Sequence, residues 1–185
     1  YGRDANGNIT EICTPEGYKI SREYDLRDRL VCERMVDEKN GIDRSILVAY
    51  DHAGNVTSLR RKGADGRETE ITCQYDLKDR LVRASSMEGA VFTYHYDRND
   101  RLVEERRPST GHIHGTGTWN YRYDGMGRLT ERRNPDGQLE EWNQYDELGR
   151  RTVRKLADGE EFHFHYEAQG FLSDITSAGN RKEGR

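Results

Sequence analysis

Apolar and polar residues alternate with a period of two along much of this 185-residue chain. Ile46/Val48/Tyr50, Ile71/Cys73/Tyr75, Phe92/Tyr94/Tyr96, Trp119/Tyr121/Tyr123 and Phe162/Phe164/Tyr166 each place three apolar side chains two residues apart. In an extended strand such residues share a face, so each run predicts a strand with one apolar side. The other side, carrying Thr93, His95, Asn120, Arg122, His163 and His165, is expected to be wet. Each run ends at a tyrosine, and four residues later comes Asp28, Gly54, Asp79, Asp100, Gly127, Gly149 or Gly170. Gly takes a left-handed backbone freely and Asp tolerates it, which predicts a type I turn led by a carboxylate that accepts backbone amides. Strand, turn and strand make a β-hairpin.

The hairpin repeats. Tyr24-Asp25, Tyr50-Asp51, Tyr75-Asp76, Tyr96-Asp97, Tyr123-Asp124 and Tyr145-Asp146 head six copies, and Arg3-Asp4 and Tyr166-Glu167 are degenerate ones. The acids recur every 21 to 27 residues, so eight copies fill the chain and leave no visible linker. The expected organisation is a single repeat region over 1–185. After the turn position comes Arg29, Arg80, Arg101, Arg128 or Arg150, with Asn55 and Phe171 as exceptions. Pro15-Glu16-Gly17, Ala64-Asp65-Gly66, Glu88-Gly89, Pro135-Asp136-Gly137 and Ala157-Asp158-Gly159 join one hairpin to the next as turns. Stacked edge to edge, the hairpins predict an all-β fold: tandem antiparallel hairpins in a curved, spiralling sheet. The copy at Tyr145 fits worst. Glu141 and Asn143 fall on its apolar face while Trp142 falls off it, which predicts a bulge or register change there.

Composition alone points elsewhere. Leu, Ile, Val and Phe make up about 17% of the chain, under the roughly 20% below which strongly charged chains tend to be disordered. Net charge is only -4, however, and eleven Tyr and two Trp supply apolar area that the aliphatics lack. A single-layer sheet that buries chiefly one face reconciles the two, at the cost of a thin core and two edges open to association. No apolar run reaches the roughly 18 residues of a membrane span, and no secretory signal is visible, so membrane insertion is not expected. The balance of acids and bases argues against nucleic acid as a partner. Cys13, Cys32 and Cys73 are too few and too scattered for a disulfide framework or metal site.

Tyr24-Asp25-Leu26-Arg27-Asp28-Arg29-Leu30, Tyr96-Asp97-Arg98-Asn99-Asp100-Arg101-Leu102 and Tyr123-Asp124-Gly125-Met126-Gly127-Arg128-Leu129-Thr130 resemble the tyrosine-aspartate (YD) repeat, YDxxGRL, of the rearrangement-hotspot (Rhs) proteins. The resemblance covers essentially the whole chain and departs from the pattern at Asp28, Asp79 and Asp100. It implies a β-sheet shell that encloses or presents a toxin or effector domain of the same polypeptide, in a secreted or cell-surface protein. Toxin-carrying members are similar in having an Asp-Pro self-cleavage segment. None of Pro15, Pro108 and Pro135 follows an Asp, so an interior piece of the repeat region is expected, without plug, protease or toxin.

Chemistry is hard to find in eight near-identical copies. Tyr24, Asp25 and Arg29, Tyr75, Asp76 and Arg80, and Tyr96, Asp97 and Arg101 read as structural repeat residues, as do Tyr123, Asp124, Gly127 and Arg128. So do Tyr50, Asp51 and Gly54, and Tyr145, Asp146, Gly149 and Arg150. Asp and Arg four apart can pair across the turn, for about 0–1 kcal/mol when exposed. Arg outnumbers Lys 24 to 6, which suits planar pairing and stacking on Tyr. His112/His114 and His163/His165 have metal-like spacing but lack further ligands. Asp4-Ala5-Asn6-Gly7-Asn8 departs from a calcium loop at Ile9 and Pro15. Neither catalytic, cofactor nor metal residues are assigned, and the chain is expected not to be an enzyme. The alternative reading is a cell-surface recognition module that binds carbohydrate or protein through exposed Tyr, Trp and Arg.

Overall fold

The computed structural model describes residues 1–109 and 115–178, so the His112/His114 pair lies outside the described residues. Those residues form strands and turns and contain no helix. They fall into two compact units, Tyr1–Val91 and Phe92–Arg185. The division comes within a strand rather than at a linker.

Unit 1 holds β1 (Gly2–Arg3), β2 (Ile9–Cys13), β3 (Lys19–Tyr24), β4 (Leu30–Asp37), β5 (Ile42–Tyr50), β6 (Val56–Lys62), β7 (Glu68–Tyr75) and β8 (Leu81–Ser86). Unit 2 holds β9 (Val91–Tyr96) from its second residue, β10 (Leu102–Arg107), β11 (Gly117–Tyr123), β12 (Leu129–Arg133), β13 (Leu139–Tyr145), β14 (Arg151–Leu156), β15 (Glu161–Tyr166) and β16 (Leu172–Ala178). Within each unit every strand is antiparallel to its neighbour in sequence. The fold is therefore all-β, built of tandem hairpins whose Tyr-Asp turns join odd strands to even ones.

Most connections, at both ends of the hairpins, use one turn. Asp25 N–H donates to Arg29 O (2.9 Å) and Asp28 N–H donates back to Asp25 O (3.0 Å); Thr14, Gly17 and Tyr18 repeat this at the opposite end. The residue donating back takes a left-handed backbone, with φ of 59° at Asp28, 60° at Asp79, 64° at Asp100 and 83° at Gly127. Aspartate thus fills the glycine position at all three departures from the repeat pattern. At the Tyr-Asp end the two strands are also offset by one residue, a bulge that the same turn at the opposite end lacks between β2 and β3, β6 and β7, and β14 and β15. Tyr24 faces Leu30 while Glu23 faces Cys32, leaving Val31 unpaired. The same shift follows Tyr50, Tyr75, Tyr96, Tyr123, Tyr145 and Tyr166.

The bulge expected only at the Tyr145 copy is therefore a property of every full copy. β13 adds a second one at Glu140, between the pairs Arg132↔Glu141 and Arg133↔Leu139. Glu141 and Asn143 nevertheless stay on the tyrosine face, 8% and 3% exposed. Apolar burial is scant: among the described residues only Ala90 and Trp119 are buried hydrophobics. Every residue of β16 is exposed, including Leu172 and Ile175. The tyrosine-bearing face of most strands is half-buried, covered by its own long side chains rather than by a second layer.

Candidate functional site: the turn ladder and the tyrosine face

Each Tyr-Asp turn is a small polar machine for holding the next hairpin. Asp25 Oδ1 accepts the backbone N–H groups of Arg27 (2.8 Å) and Arg29 (3.1 Å), and Oδ2 accepts Arg29 Nε–H (2.8 Å). Asp76 with Arg80, Asp97 with Arg101, Asp124 with Arg128 and Asp146 with Arg150 repeat that pairing at 2.6–2.8 Å. The guanidinium also reaches forward. Arg29 lies over the Tyr50 ring at 4.4 Å, Arg101 over Tyr123 at 5.0 Å, and Arg128 over Tyr145 and Arg150 over Tyr166 at 4.7 Å. Arg101 and Arg128 donate in addition to the carbonyls of Asp124 (3.1 Å) and Asp146 (3.0 Å). Within each unit the tyrosines reach backward. Tyr24, Tyr50, Tyr75, Tyr123, Tyr145 and Tyr166 donate their hydroxyls to the carbonyls of Ile9, Leu30, Val56, Leu102, Leu129 and Arg151. Tyr96 occupies the same position on β9 and is half-buried.

The exceptions follow the same geometry. Neighbouring hairpins are two strands, roughly 10 Å, apart, a gap an arginine spans and an asparagine does not. Asn55 therefore meets an extended partner: its Nδ2 donates to Asp51 Oδ2 (3.1 Å) and to Asp79 Oδ1 (2.8 Å) of the next turn. Asn8 does the same with Asp4 and Asp28. Where arginine crosses instead, glycine leaves it room. A Cβ on Gly54 would stand 3.6 Å from Arg29 Nη1, and one on Gly149 3.5 Å from Arg128 Nη1.

These contacts set the titration of the turn acids. Asp76 is pulled down to about 2, first by its hydrogen bond from Arg80 and then by backbone amides. The hydrogen bonds of Arg29 and Arg101 lower Asp25 and Asp97 in the same way. Asp51 and Asp124 are lowered chiefly by the backbone amides of Asn55 and Arg128. Burial pushes Asp146 up, and Arg150 more than offsets it.

Register places a second set of side chains on the tyrosine face, and here the units differ. In unit 1 Ile12, Ile20, Met35, Ile46, Val48, Leu59 and Ile71 share that face with one ion pair, Arg22 to Glu33 at 2.7 Å. In unit 2 the equivalent surface is polar and aromatic. Glu105 accepts from Arg107 Nε (3.0 Å) and Nη2 (3.1 Å) and from the Tyr121 hydroxyl (2.8 Å). Glu141 accepts from Arg154 (3.1 Å) and Asn143 (3.2 Å). Trp119 is sandwiched between Arg107 (4.5 Å) and Arg132 (5.6 Å). Burial alone would raise both glutamates, but their donors leave them below the ordinary range. Burial, and then the Glu105 hydrogen bond, pushes Tyr121 up to about 12. The sequence signal for this network was the pair Glu141 and Asn143 on an apolar face; its partners lie on other strands.

The remaining candidates stay apart. His163 Nε2 meets Glu161 (3.0 Å) while His165 Nε2 meets Thr176 (3.4 Å). Among the described residues no three His, Cys, Asp or Glu side chains are placed to hold a metal ion. Asp4 accepts the Asn6 and Asn8 amides as a turn residue. The three cysteines are free.

The family description "Teneurin YD-shell" matches residues 8–184. The chain belongs to the YD-shell family. No curated protein matches it in sequence. Among solved structures, this YD-shell chain is similar to TcdB2-TccC3-TEV (TM-score 0.59, 13% identity, 96% of this chain covered). It is also similar to TcdB2-TccC3-Cdc42 (0.58, 12%, 93%) and to the Photorhabdus luminescens Tc holotoxin pore with a TccC3 mutation (0.56, 13%, 95%). At such identity the likeness is one of fold. The YD-shell segment spans 11% of the length of each of those chains.

Proposed function

We propose that this chain is a non-enzymatic wall segment of a YD-repeat shell that encloses or presents a toxin or effector domain of its own polypeptide, in a secreted or cell-surface protein. The observation that carries this reading is the ladder. Each repeat spends its Tyr, Asp and Arg, or its Asn and Asp, on gripping the adjacent hairpin, and no copy is set apart by a group poised for chemistry. On this reading Tyr24, Asp25, Arg29 and their counterparts are structural, and 1–185 is one repeat region. The partners are the rest of the shell and the enclosed domain; neither nucleic acid nor cofactor has a role.

Electron microscopy of the complete polypeptide carrying this segment tests it: a hollow particle with density inside is expected, and a solid or extended particle overturns it. The recognition-module alternative calls for binding through exposed Tyr, Trp and Arg, with the tryptophans as its test. Trp119 is buried between two arginines, so Trp142, half-buried on the opposite face, is left to carry it. Glycan binding abolished by Trp142→Ala with the fold intact would favour that alternative.

A further inference from the structure

The two faces of the sheet differ in how their charges are balanced. On the face away from the tyrosines, acids and bases meet one another: Lys19 with Glu11, Arg34 and Lys62 with Asp43, Arg60 with Glu70, and Arg122 with Glu131. On the tyrosine face of unit 2 the register gathers Arg107, Arg132, Arg151 and Arg154 against Glu105 and Glu141, with Glu140 at the bulge beside Arg107 and Trp119 and accepting from Asn134. Glu105 and Glu141 are already engaged by Arg107 and Tyr121, and by Arg154 and Asn143. Among the described residues Arg132 and Arg151 are left without a hydrogen-bonded carboxylate. Arg132 Nε and Arg151 Nε are buried and have no hydrogen-bond partner. Arg132 comes no nearer to Glu141 than 3.9 Å, and the two guanidinium groups rest on the rings of Trp119 and Phe164. Stacking holds such groups flat and leaves their edges free for carboxylates, with which they pair in fork geometry. Unit 1 tilts the same way, with Arg44 and Arg61 on its tyrosine face beyond the Arg22–Glu33 pair.

We propose that the tyrosine face of unit 2 is a docking surface for an acidic polypeptide segment, whose carboxylates neutralise Arg132 and Arg151. Charge complementarity identifies the occupant: the excess positive charge lies on one face of a chain whose net charge is -4. A nucleic acid would meet that overall negative charge along its whole length, whereas a short acidic segment can engage the face alone. The proposal deepens the shell reading, because it makes the tyrosine face the one turned toward the partner and gives the partner's contact surface an acidic character. It rests on that reading only for who the partner is. A failure of acidic-peptide binding removes the inference and leaves the hollow particle standing.

The test is fluorescence anisotropy of fluorescein-labelled hexaglutamate titrated with the chain at low ionic strength, where exposed charges are least screened. Saturable binding is expected, weakened tenfold or more by the double substitution Arg132→Gln/Arg151→Gln. The charge-matched control Arg122→Gln/Lys155→Gln, on the opposite face, should change it less than twofold. A second measurement needs no variant: the Nε–H resonances of Arg132 and Arg151 in the unmodified protein should shift on adding hexaglutamate. Absence of binding up to millimolar peptide, equal losses from both double variants, unmoved Nε–H resonances, or tighter binding of a heparin-derived hexasaccharide would each overturn the proposal.

Discussion

The two units solve one problem in two ways. At their turns they are alike: a carboxylate closes the loop, an arginine or an asparagine bridges to the next hairpin, and a tyrosine hydroxyl bridges back. On the tyrosine face they diverge, unit 1 filling it with Ile46, Val48, Leu59 and Ile71, unit 2 with the Glu105 and Glu141 networks around Trp119. The apolar filling is forgiving, since each aliphatic contributes in proportion to the area it hides. The polar filling is not. A half-buried charge network stabilises only while every member is present, and loss of one strands the others.

The largest expected effect breaks unit 2 alone. Glu141→Ala leaves Arg154 and Asn143 without their shared acceptor and Arg132 without its nearest carboxylate, and should cost about 3 kcal/mol, toward the lower end for a broken buried pair because Arg154 is 37% exposed. Denaturant unfolding of the variant measures it. Replacing the whole set with apolar residues of similar volume should recover most of the loss, and a failure to recover would show that the network does more than fill space. In unit 1, Leu59→Ala should cost about 2 kcal/mol, at the low end of the large-to-small range since the side chain is only half-buried. Its cost should not change with added salt, whereas that of Glu141→Ala should shrink.

Gly127→Val tests what the units share. A Cβ there meets nothing closer than Arg101 Cδ at 3.8 Å, so the penalty comes from φ of 83° and should be about 1 kcal/mol or more. Thermal unfolding should register it as a drop of a few degrees. The smallest difference is in acid. The turn carboxylates of both units are lowered, Asp76 to about 2, so their stabilisation is complete above the unfolded value near 4 and is lost as pH falls through the folded value. Glu105 and Glu141 are lowered too, and their ordinary value is higher. Glu11 and Glu70 of unit 1 are lowered as well but are more exposed than Glu105 and Glu141, so protonation should cost unit 2 more and it should begin to loosen at a slightly higher pH than unit 1, which hydrogen exchange followed from pH 5 to pH 2 would resolve.

Much of the fold is legible in the sequence. Alternation at Ile46/Val48/Tyr50 marked one face, and the Gly or Asp four residues past each tyrosine marked the left-handed turn, because these are local properties of a chain segment. Other features are not. The one-residue offset at every Tyr-Asp turn is a consequence of pairing, which apolar periodicity does not report, so the sequence points to it only where the pattern is irregular. Glu141, with Asn143 donating to it, looks like a misfit because the arginines it faces, Arg154 and Arg132, belong to neighbouring strands.

The sequence by itself determined the hairpin, its turn chemistry and its eightfold recurrence, since each depends on residues within a few positions of one another. It also carried the pairing of Asp with the Arg four residues on. Only the tertiary structure decided which ring each arginine covers, which carbonyl each tyrosine finds, and why Asn8 and Asn55 are followed by Asp28 and Asp79. Those contacts join residues about twenty positions apart, and they exist only once one hairpin has been laid beside the next.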